Sequence, residues 1–491
     1  MNVLLITLDQ FRADCLSIAG HPVVRTPALD ALSTNGVRFA RHYSQAAPCG
    51  PGRASLYTGM YQMNHRVVAN GTPLDARFDN VAKAARRAGY DPVLFGYTDQ
   101  SIDPRESTGP DDPRMQHYTG VLPGFRPVLH IPDDHQVWLD WLADRGHSGL
   151  GDGYVALGSE PSRPAALSVS TFLTDHAIEW LRQRPSSPSD AGWFAHLSYL
   201  RPHPPYSAAG TFATMYDPAE VPLPIGPPDD RLAFHDALLA SDRAAAPPDE
   251  QAIRDLRAQY YGMISEVDAQ LDRVWNALRE LGMWDDTMVI VTADHGEQLG
   301  DQGLLGKLAW FEESYHIIGI VRDPHHPDAH GTVVDAFTEN VDLFPTICDF
   351  IGADVPVQCD GLPLTPFLCG TQPPWWRDGA HWEFDWRDQY LLDEHPWPWD
   401  RRLERQQLAC VRDADGAYVQ FGNGTWRCFD LAADPRWHTL ITDPARVLPY
   451  AQAMVAWRAA HTDRTHTGML VAMGGIGRFP ERPMIVETPM P

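Results

Sequence analysis

The feature that most constrains the fold is a set of short apolar runs that alternate with helical patterns and end at polar residues. Residues 3–8 form a continuous run of apolar and β-branched residues that ends at Asp9 and Gln10. A second run, at residues 287–292, ends just before Asp294 and His295. Continuous apolar runs of this length are typical of strands that are buried on both faces of a sheet.

The rest of the chain continues this alternation. Further strand-like runs lie at 92–95, 193–197 and 317–321, and helical patterns cover 80–88, 170–184 and 251–281. Strands that alternate with helices over roughly 350 residues predict an α/β domain with a mostly parallel central sheet flanked by helices. Ligands of such sheets gather at the carboxyl ends of the strands. We therefore expect Asp9 and Asp294 to be neighbours in space.

The composition changes near residue 371, where a stretch rich in Trp, Pro and charged residues begins. Beyond it, alternating segments at 408–412, 417–421 and 426–431 predict a short antiparallel sheet, and a helical pattern covers 447–460. The last residues are rich in Pro and Met, as in an arm that frays or packs on a neighbouring subunit. We predict a catalytic α/β domain, a smaller C-terminal α+β subdomain and a C-terminal arm, at residues 1–370, 371–473 and 474–491.

Composition and charge limit the partners of the chain. Its 491 residues carry a formal net charge of -25, which argues against nucleic-acid binding because that function needs a basic surface. The N-terminal run has no basic segment before it and no cleavage site after it, and no stretch approaches the roughly 20 apolar residues of a membrane span. The seven cysteines form no Cys-x-x-Cys pair, so no disulfide framework is predicted. We expect a cytoplasmic homo-oligomer, a dimer or a tetramer, with no membrane partner.

The most informative segment is 48–59, which reads Pro-Cys-Gly-Pro-Gly-Arg-Ala-Ser-Leu-Tyr-Thr-Gly. If Cys49 opens a helix, the backbone N–H groups and the positive end of the helix dipole suit an anionic nucleophile there. Arg53, one turn on, can reach back with a forked pair of donors. An isolated cysteine at a Pro-Gly turn is usually only a buried side chain. The surrounding motif is what favours a catalytic role.

Cys49, Pro51 and Arg53 resemble the Cys-x-Pro-x-Arg signature of the sulfatases, in which a maturation enzyme converts the cysteine to formylglycine. Segments similar to the family elsewhere are 9–10, 26–30 and 292–297, so the resemblance covers nearly the whole chain. Segments similar to the phosphonate monoester hydrolases, a branch of the alkaline phosphatase superfamily, are 61–66, 96–98, 201–205 and 306–307. The resemblance implies an alkaline-phosphatase-like large domain that hydrolyses sulfate esters, or phosphonate monoesters and phosphodiesters.

The resemblance also implies a site for one divalent metal ion. Asp9, Gln10, Asp294 and His295 would hold it together with the modified Cys49, through a gem-diol oxygen of hydrated formylglycine that becomes the nucleophile. Three oxygen donors and one nitrogen suit a divalent cation. Gln10 stands where many sulfatases have a second Asp, and His295 where many have Asn. Both differences favour the phosphonate branch, and they make manganese or zinc candidates beside calcium.

Substrate contacts are implied at further positions. Lys307 and His203 would face the anionic oxygens and the leaving group, because Lys is a compact charge and His can donate a proton near pH 7. The implied catalytic set is Cys49, Arg53, His203 and Lys307. Asn70 and Tyr97 match substrate-contacting positions of the phosphonate hydrolases. Asp99 departs from that branch, which usually has Thr there, and a carboxylate would repel an anionic substrate or pair with a cation.

Two alternatives remain at this point. A phosphatase or phosphomutase-like member of the same superfamily would use an unmodified Ser or Thr, and the complete Cys-Pro-Arg signature argues against it. A non-catalytic binding module on a decayed hydrolase fold would have lost its metal ligands, whereas Asp9, Asp294 and His295 are all present. The leading hypothesis predicts a small anionic ester as the substrate and a formylglycine-generating maturation enzyme as a partner.

Overall fold

The computed structural model describes residues 1–115, 117–184, 192–385 and 407–462, and the backbone of 470–471 and 477–478. The strands are β1 Asn2–Leu8, β2 Val37–Tyr43, β3 Val93–Gly96, β4 Arg126–His130, β5 Phe194–Tyr199, β6 Thr287–Thr292, β7 His316–Ile317, β8 Gly319–Arg322, β9 Val333–Glu339, β10 Ala380–Phe384, β11 Leu408–Arg412, β12 Gly416–Phe421, β13 Trp426–Asp430, β14 Leu470–Val471 and β15 Gly477–Arg478.

Helices alternate with these strands through most of the described chain. They are α1 Pro27–Thr34, α2 Cys49–Thr58, α3 Gln62–His65, α4 Val81–Arg87, α5 Gln136–Ala143, α6 Gly153–Gly158, α7 Val169–Arg182, α8 Ala233–Leu239, α9 Glu250–Glu280, α10 Leu343–Ile351, α11 Thr365–Leu368 and α12 Pro444–His461.

The central sheet has the order β4-β3-β5-β1-β6-β8-β2-β7, with β9 on β2. The strands from β4 to β6 are parallel, and β8 and β7 run against their neighbours. In β1 every residue is buried, and Ile6 stands opposite Leu197 on one side and Val291 on the other. The prediction of a mostly parallel sheet is confirmed.

Helices cover both faces of this sheet. On one face α9 packs against α1 and α7, and on the other α2, α4 and α10 pack together. Asp249 caps α9 by accepting a hydrogen bond from the backbone N–H of Ala252. Positions 260, 264, 267, 271, 274 and 278 of α9 are buried, a spacing of three or four residues that directs one face of the helix to the core.

One predicted strand differs from the structure. The run at 317–321 forms two short strands, because its pairing register with β2 shifts by one residue at Ile318. Before it, Ile317 pairs with His42 of β2. After it, β8 pairs with both β6 and the start of β2, where Val37 stands opposite Val321.

A second sheet, antiparallel in the order β10-β11-β12-β13, confirms the predicted short antiparallel sheet. Helix α12 packs on β11 and β12 and buries Met454 and Trp457. Glu383 joins this sheet to the large domain, because its N–H donates to the Gln45 carbonyl and its carboxylate accepts from the Met63 N–H. The boundaries at 370 and 473 stay predictions. Of the C-terminal arm, all but 477–478 lies outside the described residues.

The described helices and the cysteines carry no sign of a membrane span or a disulfide. In the described part, no helix combines the length and the apolar composition needed to cross a membrane. The seven cysteines are all free, and six of them are buried. Cys49 is one of the buried thiols.

Candidate active site

The carboxyl ends of β1, β3, β5 and β6 meet at one edge of the sheet and carry most of the predicted site residues. Asp9 and Gln10 follow β1, Tyr97 follows β3, His203 lies in the loop after β5, and Asp294 and His295 follow β6. The Gln10 backbone N–H donates to Asp294 Oδ1 at 3.2 Å. The expected proximity of Asp9 and Asp294 is therefore confirmed.

Cys49 is the first residue of α2, and only 4% of it is exposed. Its Sγ lies 3.2 Å from His295 Nε2, 3.4 Å from Lys307 Nζ and 3.9 Å from Asp9 Oδ1. One donor atom from each of Asp9, Cys49, Asp294 and His295 lies within 4.8 Å of the others, and all four residues are buried. We call these four residues the ligand cluster.

His295 presents a free nitrogen lone pair to this cluster. Its Nδ1 lies 2.9 Å from the Gly296 carbonyl oxygen and must carry the proton to donate there, which leaves Nε2 unprotonated and directed at Cys49. Burial, followed by the charge of Lys307, lowers the pKa of His295 to about 3. A neutral imidazole held in this way is the form that binds metal ions.

Arg53 donates hydrogen bonds to both carboxylates of the ligand cluster. Its Nε donates to Asp294 Oδ2 at 2.9 Å and its Nη2 to Asp9 Oδ2 at 3.0 Å, while Nη1 donates to Ser198 Oγ at 2.7 Å. Burial and the charge of Asp9 raise the pKa of Asp294 to about 7. Arg53 therefore orients both carboxylates, and against burial it helps to hold the pKa of Asp9 below its usual value, while burial keeps that of Asp294 above it.

Gln10 directs its amide oxygen into the site. Its Nε2 donates to Glu297 Oε2, so Oε1 faces Lys307 Nζ at 3.1 Å. Glu297 Oε1 in turn accepts the backbone N–H groups of Leu299 at 2.8 Å and Gly306 at 2.6 Å. Glu297 is not among the site residues that the sequence predicts. Its position two residues after His295 was the only signal.

Lys307 and His203 form a hydrogen-bonded pair beside Cys49. Lys307 Nζ donates to His203 Nε2 at 3.2 Å, and His203 Nδ1 donates to the Pro204 carbonyl at 2.8 Å. Burial and the charge of Lys307 lower the pKa of His203 to about 3. In this arrangement His203 Nε2 accepts a hydrogen bond from Lys307, and its role as a proton donor to the leaving group stays a prediction.

Asn70 and Tyr97 lie in the site, but their polar atoms hydrogen-bond to other groups of the protein. The Asn70 Oδ1 accepts the Gly50 N–H at 2.8 Å, at the start of α2. The Tyr97 hydroxyl donates to Asp9 Oδ2 at 2.7 Å, and its ring lies 4.4 Å from the Arg53 guanidinium carbon. Gly96 permits this turn, because its φ is +102° and a Cβ there would lie 2.1 Å from the Ser198 carbonyl oxygen.

Asp99 lies in the same loop, and its Oδ2 is 3.7 Å from Arg53 Nε. Burial is the largest cause that raises its pKa, to about 7, and the negative charges of Asp9 and Asp294 act in the same direction. The carboxylate that departs from the phosphonate-hydrolase pattern is thus buried beside the ligand cluster.

A family profile described as Sulfatase matches residues 1–353. The chain belongs to the sulfatase family. This sulfatase is 38% identical over 502 aligned residues to a multifunctional alkaline phosphatase superfamily protein of Trinickia caryophylli, covering 95% of the chain and 96% of the relative. It is 28% identical to an arylsulfatase of Clostridium perfringens, covering 84% of the chain and 88% of the relative.

Solved structures agree with this assignment. The phosphonate monoester hydrolase of Agrobacterium radiobacter superposes with a TM-score of 0.87 at 41% identity, covering 98% of this chain and 100% of that one. That of Silicibacter pomeroyi superposes with a TM-score of 0.84 at 35% identity, covering 98% and 99%. The alkaline-phosphatase-like fold implied by the resemblance is confirmed.

Proposed function

We propose that this sulfatase is a metal-dependent hydrolase that uses formylglycine at position 49 to cleave phosphonate monoesters, and with them phosphodiesters and sulfate esters. The observation that carries the proposal is the placement of Cys49 at the start of α2, inside the ligand cluster and 3.4 Å from Lys307 Nζ. The two phosphonate monoester hydrolases and the arylsulfatase among its relatives support the phosphonate monoester and sulfate ester classes.

Asp9, Gln10, Asp294 and His295 are the residues that would hold the metal ion, with position 49 completing the set. They fit a divalent cation because two carboxylates, the Gln10 Oε1 and the unprotonated His295 Nε2 all face one buried space. When bound, such an ion lowers the pKa of a coordinated hydroxyl and polarises the ester. The mixed oxygen and nitrogen set admits manganese, calcium or zinc.

Conversion of Cys49 to formylglycine supplies, after hydration, a gem-diol hydroxyl that can attack sulfur or phosphorus and expel the alcohol. The second hydroxyl then gives up its proton, the bond between the formylglycine carbon and the first oxygen breaks, and sulfate, a phosphonate or a phosphate monoester leaves as the aldehyde reforms. Lys307, a compact cation that donates to Gln10 and His203, binds a nonbridging oxygen of the ester. His203 fixes the direction of Lys307 and lies on the leaving-group side. Arg53 keeps both carboxylates oriented.

Conversion of Cys49 requires a formylglycine-generating maturation enzyme as a partner. The substrate is a small anionic ester in this proposal. The cytoplasmic location and the dimeric or tetrameric assembly stay predictions of the sequence.

The test is a peptide mass across Cys49, measured on the same preparation that is assayed with an aryl phosphonate monoester and an aryl sulfate. We expect a loss of about 18 Da for the Cys-to-formylglycine conversion, together with turnover of the phosphonate ester. Protein produced without the maturation enzyme is the matched control and should lack both. An unmodified Cys49 that reacts with an alkylating reagent in a fully active preparation would refute the proposal.

A further inference from the structure

Asp99 is a buried carboxylate that accepts no hydrogen bond from the residues that the structure describes. Only 5% of the residue is exposed. Within the described residues, its carboxylate has one ion-pair contact, to Arg53 Nε at 3.7 Å, and no hydrogen-bond donor. A buried carboxylate normally accepts several hydrogen bonds. The two carboxylate oxygens of Asp99 therefore stay available to a bound ligand.

Arg53, which forms the ion pair with Asp99, is engaged more closely by other carboxylates. Arg53 lies 2.9 Å from Asp294 and 3.0 Å from Asp9, both shorter than its distance to Asp99. The negative charge of Asp99 is therefore only weakly offset by Arg53 of α2. Lys307 is the other cation whose charge reaches Asp99.

The loop that carries Asp99 packs directly on the residue after Cys49. The Gln100 Nε2 donates to the Gly50 carbonyl at 2.9 Å, and the Asp99 carbonyl oxygen would lie 3.4 Å from a Cβ on Gly50. Asp99 is thus placed beside the nucleophile position and not at the outer rim of the site.

We propose that Asp99 is a specificity-determining residue that selects substrates by charge, admitting esters with one negative charge and disfavouring dianionic esters. This inference rests on the proposed function. A carboxylate at a given distance repels a dianion twice as strongly as a monoanion, and the effect is large in a buried site. Phosphonate monoesters, phosphodiesters and sulfate esters carry one charge. Phosphate monoesters carry two above their second pKa of about 6.

The experiment compares wild type, Asp99→Asn and Asp99→Glu, each confirmed to contain formylglycine and metal. At pH 8 both Asp99, with a pKa of about 7, and an aryl phosphate monoester are ionised. The substrates are an aryl phosphate monoester and an aryl phosphonate monoester with the same leaving group. In Asp99→Asn the ratio of their kcat/KM values, phosphate over phosphonate, should rise at least about 10-fold, while Asp99→Glu should keep the wild-type ratio.

Equal changes for both esters in Asp99→Asn would overturn the inference, because Asp99 would then act only by positioning Arg53. If Asp99→Asn loses turnover, calorimetric binding of inorganic phosphate and of methanesulfonate decides. A gain for phosphate relative to methanesulfonate supports charge selection, and an unchanged ratio overturns it. A wild type that hydrolyses neither ester refutes the proposed function instead, and the same binding ratio still tests Asp99.

Discussion

Glu297→Gln tests whether a carboxylate outside the ligand cluster orients Gln10 for metal binding. The Glu297 oxygens face donors only. Oε1 accepts the backbone N–H groups of Leu299 and Gly306, and Oε2 accepts the Gln10 amide. Burial raises the pKa of Glu297 above its usual value, and four hydrogen bonds, the fourth from the Tyr206 hydroxyl, offset this only in part. In Glu297→Gln one acceptor oxygen becomes an NH₂ group. That NH₂ group then faces a hydrogen-bond donor, and neither group can accept.

The hydrogen bonds around Glu297 indicate which way the new glutamine side chain turns. The two backbone N–H groups cannot rotate, so the new NH₂ takes the Oε2 side, and Gln10 must turn its amide by half a rotation. Its NH₂ then faces Lys307, which loses the acceptor that it now has at 3.1 Å. One unsatisfied buried donor costs about 1–3 kcal/mol. Loss of an outer hydrogen bond to a metal ligand typically costs about 10–100-fold in metal affinity.

The assay measures metal affinity by competition with a chelator, and the free energy of unfolding of the metal-free protein in urea. Glu313→Gln is the matched control. Burial and the charge of Asp301 raise the pKa of Glu313 to about 8, so the side chain is mostly neutral at pH 7 and an amide changes little. Wild-type metal affinity in Glu297→Gln would refute the orienting role, whatever the change in stability.

Two further predictions follow from the site and from a buried ion pair. Cys49→Ala and Asp294→Ala should each abolish turnover while the far-ultraviolet circular dichroism stays that of wild type; near-normal activity of either variant would contradict the mechanism. Glu339 is buried, which opposes ionisation, but the charge of Arg377 together with hydrogen bonds from His381 and Tyr61 outweighs burial and lowers its pKa to about 2 from 4.5. A lowered pKa stabilises the fold above the unfolded value, and that contribution is lost as the pH falls from about 4.5 towards 2. Wild type should therefore lose about 3 kcal/mol more than Glu339→Gln over that range, measured by urea unfolding; parallel pH profiles would contradict this.

Several elements could be predicted because the signals that specify them are local. The central strands β1 and β6 are buried on both faces, so their sequences are continuous apolar runs. Strands β2 and β9 escaped prediction because polar residues such as Arg38 and Asp335 interrupt them. Their strand structure depends on pairing with each other, between segments about 300 residues apart.

For the site, the sequence by itself determined the donor types and their order along the chain. A Cys-Pro-Arg motif at a helix start and two acidic strand ends are local patterns, and a parallel sheet brings strand ends to one edge. Only the tertiary structure decided what each side chain contacts. The Tyr97 hydroxyl donates to Asp9, and Asn70 accepts from the Gly50 N–H. Glu297 accepts from Gln10 and so orients it. Hydrogen bonds are directional and act over about 3 Å, so partners distant in sequence are specified only when the packed chain brings them together.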